Sequence, residues 1–186
     1  MEILKAKKII TGGENPKILK NSCLVIEGDK ILEITSEKEV QKKFKDAKIC
    51  DFGESVIAPA FVNTHVHLEF SSNVSTLKYG DFIKWLGSIV DKGSELAKMD
   101  AKKAMTEAIN SLLKSGVCTI GEISSFGSEL EILAASPLKV VLFSEILGSN
   151  EQMCEQNLQN FLAKFEKTKG YKSQNFTPAI SLHSPY

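Results

Sequence analysis

The stretch Ala58-Pro59-Ala60-Phe61-Val62-Asn63-Thr64-His65-Val66-His67-Leu68-Glu69 decides how the chain is read. An apolar run from Val56 to Val62, with Pro59 inside it, leads into two histidines one residue apart. Such a run reads as a buried strand. On a strand, residues i and i+2 point to the same side, roughly 6–7 Å apart along the chain. The rings of His65 and His67 can therefore tilt together and share one ion at metal–imidazole distances of about 2.0–2.1 Å. The alternative is a pair of half-exposed histidines that merely finish a sheet. Glu69 holds the next same-face position, and in a buried barrel strand that register points His65, His67 and Glu69 toward one mouth.

The 186 residues carry 23 basic and 23 acidic side chains, and 42% are hydrophobic. That is a globular composition, long enough to bury a core. Every basic residue is lysine, so no guanidinium fork is available to clamp a carboxylate or phosphate. There is neither a basic excess nor a basic cluster interleaved with aromatics, which argues against nucleic acid as a partner. No apolar run approaches the roughly 20 residues of a membrane span. Lys5, Lys7 and Lys8 precede no long apolar core of the kind a signal peptide needs. Cys23, Cys50, Cys118 and Cys154 are scattered without a Cys-x-x-Cys pair, the pattern of small buried residues in a reducing compartment. The expected location is cytoplasmic.

Residues 1 to about 58 read as short strands and turns, with a hairpin around Gly28-Asp29 and a short helical turn from Glu37 to Phe44. From Val56 the rhythm becomes alternating strand and helix, the signature of βα units on a parallel sheet. A helix is expected over Asp81 to Ala97, with Phe82, Leu86, Ile89, Val90 and Leu96 on its inner side. The next is the clearest. Ala101, Ala104, Met105, Ala108, Ile109, Leu112 and Leu113 recur at helical spacing, with Asp100 at the N-cap and Gly116 at the C-terminal stop. Strands follow over Val117 to Ile123, Leu138 to Leu147 and Thr177 to Leu182. Between them lie a short helix, Glu129 to Ala135, and a long one, Glu151 to Lys167, with Cys154, Leu158, Phe161, Leu162 and Phe165 inward.

The residues suited to chemistry fall after strand ends. His65 and His67 follow the first barrel-type strand, Glu122 ends the second, Glu145 ends the third, and His183 follows the fourth. In a parallel barrel the loops after the strand C-termini share one face, where active sites sit. Glu122 reads either as a capped carboxylate or as a site acid. Glu145, flanked by Phe143 and Leu147, reads as a partly buried carboxylate of the kind that marks sites. His183 before Ser184-Pro185-Tyr186 reads as a substrate contact, and Trp85 as core, rim or a ring that stacks on a ligand.

Four blocks, in order, carry a resemblance: Val25-Ile26-Glu27-Gly28-Asp29-Lys30-Ile31, Pro59 through Glu69, Gly116-Val117-Cys118-Thr119, and His183-Ser184-Pro185-Tyr186. Together they resemble the amidohydrolase superfamily, in its branch of nucleoside-type and chlorohydrolase-like deaminases. Ala60 stands where that family commonly has glycine. The resemblance implies an α/β fold, the N-terminal half of a TIM-type (β/α)8 metal-dependent hydrolase barrel over 58–186, preceded by a small, incomplete β-sandwich segment over 1–57. It implies His65 and His67 as ligands of one divalent metal ion, Zn²⁺ first and Fe²⁺ or Mn²⁺ as alternatives. His183, Glu145, Trp85 and Glu69 become the candidate substrate-binding residues. The remaining ligands and the catalytic acid–base residues are expected beyond Tyr186, so the 186-residue chain alone is expected to be inactive. His-Val-His-Leu-Glu-Phe-Ser with Phe143-Ser144-Glu145-Ile146-Leu147-Gly148 is most similar to the aminofutalosine deaminases of menaquinone synthesis. The implied substrate is an aminopurine nucleoside, 6-amino-6-deoxyfutalosine in the narrow reading, and the implied state a homo-oligomer. Guanine or cytosine deamination, chlorohydrolase-like chemistry, or an inactive fragment stand as alternatives.

Overall fold

Pro59 lies where the chain passes from one compact unit, Met1–Pro59, to another, Ala60–Tyr186. The computed structural model describes residues 1–73, 77–89, 91, 101–148 and 151–183. The first unit contains β1 (Glu2–Lys5), β2 (Lys8–Ile10), β3 (Ile18–Lys20), β4 (Ser22–Glu27), β5 (Lys30–Ser36), α1 (Glu37–Lys43), β6 (Lys48–Asp51) and β7 (Val56–Ile57). They make a four-stranded sheet in the order β5-β4-β1-β6 and a three-stranded sheet in the order β3-β2-β7. The expected hairpin is present: β4 and β5 pair antiparallel across Gly28, whose φ of 59° is left-handed. Ile3, Cys23, Val25 and Val40 form the unit's buried core. Ser36 caps α1 by accepting the Glu39 N–H at 3.2 Å, the capping arrangement that a Ser-x-x-Glu spacing favours.

The second unit runs β8 (Phe61–Val66), a 3-10 turn (Leu68–Asn73), α2 (Phe82–Ser88), α3 (Lys102–Lys114), β9 (Val117–Ser124), α4 (Leu130–Ala134), β10 (Lys139–Leu147), α5 (Cys154–Lys169) and β11 (Phe176–His183). Its four strands form one parallel sheet whose order, β8-β9-β10-β11, is the order of the sequence. That is the arrangement the alternating pattern calls for. Leu68, Ile109, Ile120, Leu130, Leu133, Leu138, Val140, Leu142 and Phe176 form the buried core. Met105 and Ile109 are the buried stripe of α3, and Gly116, at φ 85°, lets the chain turn directly into β9. All four cysteines are free thiols. Among the described residues no helix is long and apolar enough to cross a membrane.

Four expectations need correction. The apolar run is not one buried strand: Val56 and Ile57 pair with β2, and Pro59 intervenes before β8 starts at Phe61. Phe61 and Val62 are 67% and 60% exposed. In α2, Asp81 caps the helix through the Lys84 N–H at 2.9 Å, but Phe82 and Leu86 are exposed, and Val90, Leu96 and Ala97 lie outside the described residues. Asp100 lies outside them too, and Ala101 holds the N-cap position of α3 without a side-chain bond. In α5 the side chains turned to the sheet include Asn157, Lys164 and Thr168, while Leu158 and Leu162 are exposed and Cys154 is exposed as well. The reason is polar. The ends of β9 and β10 present carbonyls and a serine hydroxyl there, and buried polar groups must find partners.

Gly121 fixes how β8 and β9 meet. A Cβ at this position would stand 2.4 Å from the Thr64 carbonyl oxygen and 2.9 Å from its carbon. Both are backbone atoms, so neither can swing aside. Gly121→Ala is expected to lower stability by about 1–3 kcal/mol, read as a fall in the urea midpoint. An unchanged midpoint would contradict this packing.

Candidate functional site

His65 is the last but one residue of β8, and His67 lies just past the strand's end. Their Nε2 atoms approach to 3.2 Å, with ring centroids 5.0 Å apart and planes at 66°. Phe70 stands edge-on to the His67 ring at 5.8 Å. Burial, then the neighbouring His65, pull the His67 pKa below its ordinary value. Both effects favour the neutral imidazole, the form that ligates metals. The donor pair fits a metal ion: two bonds of about 2.05 Å spanning this Nε2 separation subtend an angle of roughly 100°, close to tetrahedral. Among the described residues no group of three or more His, Cys, Asp or Glu side chains converges to hold a metal. The pair offers two donors, fewer than the three protein ligands of a catalytic zinc site.

Glu69 does not extend the histidine face. The strand ends at Val66, the chain tightens into the 3-10 turn, and Glu69 is 0% exposed. Its two carboxylate oxygens accept the backbone N–H groups of Ser125 and Phe126 at 2.7 and 2.9 Å. The expectation that its register aims it at the mouth beside the histidines is thereby corrected: Glu69 holds the β9–α4 connection. The same connection is gripped from its carbonyl side by a residue that pattern reading passed over. Lys164 Nζ donates to the carbonyls of Ser124, Ser125 and Glu145 at 2.8, 2.9 and 2.8 Å. The signal was available: Asn157, Phe161, Lys164 and Thr168 fall at i, i+4, i+7 and i+11, one face of a helix.

Glu145 and His183 come together. Glu145 Oε1 lies 3.4 Å from His183 Nδ1, and its Oε2 accepts the Ser125 hydroxyl at 2.6 Å. The carboxylate is buried, whereas the His183 side chain is half exposed. Ser184, Pro185 and Tyr186 lie outside the described residues. Trp85 packs against Phe82 with ring centroids 5.8 Å apart and is half-buried; no described contact joins it to the histidines or to Glu145.

Glu122 is 0% exposed, and its Oε1 accepts the Leu68 N–H at 2.8 Å, tying the 3-10 turn to β9. Burial first, then the charge of Glu129, hold its carboxyl well above the ordinary range. The same two causes push Glu69 up to about 7. Burial draws the Lys164 ammonium down, against the opposing pull of Glu69, Glu129 and Glu145.

The family model described as "Amidohydrolase family" matches residues 56–186. The chain belongs to the amidohydrolase family. It is 34% identical over 186 residues to the aminodeoxyfutalosine deaminase of a Nitratiruptor species, covering 100% of this chain and 45% of that protein. It is 35% identical over 185 residues to the adenosine deaminase of Helicobacter pylori, covering 100% and 44%. The crystal structure of Helicobacter pylori aminofutalosine deaminase with methylthio-coformycin superposes with a TM-score of 0.90 at 35% identity, covering 100% of this chain and 45% of that one. The chain thus spans less than half the length of the relatives it matches.

The buried Glu122 makes a pH test of this amidohydrolase chain. An unfolded glutamate ionises near its ordinary value of about 4.3, while folded Glu122 holds its proton to higher pH. Stability from this group is complete below about pH 4.3 and falls as pH rises above it, because the unfolded state sheds its proton first. In Glu122→Gln, Oε1 still accepts the Leu68 N–H, and the amide replaces Oε2, which has no hydrogen-bond partner. Urea midpoints at pH 5, 6.5 and 8 should fall less steeply in Glu122→Gln than in the parent. Parallel slopes would contradict the assignment.

Proposed function

We propose that the whole protein is a metal-dependent hydrolytic deaminase of an aminopurine nucleoside. The observation that carries this is the 3.2 Å approach of His65 Nε2 and His67 Nε2 at the end of the first parallel strand. In this reading residues 58–186 are the first half of a (β/α)8 catalytic barrel and residues 1–57 part of a β-sandwich. The sequential parallel order of β8 to β11 supports the barrel, as do the exposed apolar side chains of Ile180 and Leu182, which suit one wall of a larger core.

His65 and His67 are two ligands of one divalent ion, Zn²⁺ in the first instance. When bound, that ion supplies the Lewis acidity that makes water a nucleophile near neutral pH. The net reaction takes one water, replaces the amino group on the purine carbon with oxygen, and releases ammonia. The protein's own part is orientation. The two imidazoles would hold the ion at the strand end, and half-exposed His183 binds the purine on the same strand-end face. The relatives' names support an adenosine carrying a modified ribose as substrate, with 6-amino-6-deoxyfutalosine as the specific reading.

Ammonia release from 6-amino-6-deoxyfutalosine, 5′-methylthioadenosine, adenosine, guanine and cytosine tests the proposal on the intact protein. Turnover is expected on the adenine nucleosides, led by the futalosine derivative. Release from guanine or cytosine alone would overturn it. His65→Ala and His67→Ala should each lose bound metal by elemental analysis and fall to background turnover. Metal retained at full stoichiometry in either variant would remove that residue from the ligand set.

A further inference from the structure

The geometry points to Glu145 as a positioning residue that orients His183, with Ser125 behind it, so that His183 Nε2 is the atom offered to substrate. This rests on the reading of His183 as a purine contact, and it gives Glu145 a role other than touching the substrate itself.

Both oxygens of the Glu145 carboxylate are already engaged. Oε2 takes the Ser125 hydroxyl at 2.6 Å and Oε1 faces His183 Nδ1 at 3.4 Å. The Glu145 side chain is 5% exposed, against 52% for His183. A ligand entering from solvent therefore meets the imidazole and not the carboxylate. The parallel pairing of β10 and β11 sets Glu145 opposite Ser181 and Leu147 opposite His183, so Glu145 and His183 lie diagonally on one face of adjacent strands.

The support behind this pair is unusually fixed. The Ser125 N–H is held by Glu69, its carbonyl by Lys164, and the Glu145 carbonyl by the same Lys164 ammonium. Ser125 and Glu145 thus cannot drift apart without breaking several charge-assisted bonds. A carboxylate oxygen 3.4 Å from Nδ1 favours a proton on Nδ1, which leaves the lone pair on the second ring nitrogen. In this proposal the imidazole, half exposed beside a buried carboxylate, offers Nε2 to the ligand.

The test uses the intact enzyme and two readouts. With an adenine nucleoside as substrate, Glu145→Gln is expected to raise KM about 10-fold or more, with a smaller change in kcat, in the range found when supporting partners of site histidines are lost. Ser125→Ala should shift KM in the same direction and Ser125→Thr should restore it. In a His183→Ala background, Glu145→Gln should cost nothing further, because its effect passes through the imidazole. Additive losses would overturn the proposal. The second readout does not need turnover. Nitrogen NMR of histidine-labelled protein, with His183 assigned by its loss in His183→Ala, should show Nδ1 protonated in the parent and a changed tautomer in Glu145→Gln. An unchanged tautomer would overturn the proposal even if the enzyme proved to act on another substrate, whereas a parent inactive on adenine nucleosides would overturn only the functional reading.

Discussion

The bend from Ser124 to Phe126 is the joint on which the second unit depends. Peptide groups carry a partial positive end at N–H and a partial negative end at C=O, and here a carboxyl group faces the first and an amino group the second. The Glu69 carboxylate takes the N–H groups of Ser125 and Phe126, and the Lys164 ammonium takes the carbonyls of Ser124 and Ser125. Hydrogen bonds to charged groups contribute roughly 1.5–3 kcal/mol each; those to Glu69 offset only part of the cost of its burial, which with the charge of Glu129 still pushes its carboxyl up to about 7. One residue from the turn after β8 and one from α5 thereby lock the end of β9, and Lys164 extends the lock to β10 through the Glu145 carbonyl.

That lock ties the turn after β8 and the ends of β9 and β10 into one rim. His65 and His67 enter it from the end of β8, and Glu122 draws the following turn onto β9 through the Leu68 N–H. Glu145 and His183 enter it from β10 and β11. The metal-ligating and substrate-binding roles proposed for these histidines fall on the two outer strands of the sheet, and the inner strands supply the carboxylates that steady them. Buried acids with raised pKa values, Glu69 and Glu122, lie beneath the site rather than in it.

Much of this was legible in the sequence, and the gaps have physical reasons. The βα alternation was readable because buried parallel strands and α3's apolar stripe leave strong periodic signals. Gly116 was readable because only glycine takes its backbone angle at low cost. The His-x-His pair was readable because strand geometry places i and i+2 together. Glu69 misled because strand register was carried past Val66, where the chain had already tightened into a 3-10 turn. Phe61 and Val62 misled because apolar character does not state which neighbours are present to cover it. Lys164 was missed because lysine on a helix reads as solvated, and only the three carbonyls at the strand ends make it an inward residue.

The central claim is that His65 and His67 hold one metal ion between their Nε2 atoms. The most direct measurement is a crystal structure of the intact protein with an anomalous difference map recorded across the zinc edge. The account predicts a single peak about 2.0–2.1 Å from both Nε2 atoms. A metal peak elsewhere, with the two rings turned apart, would contradict it.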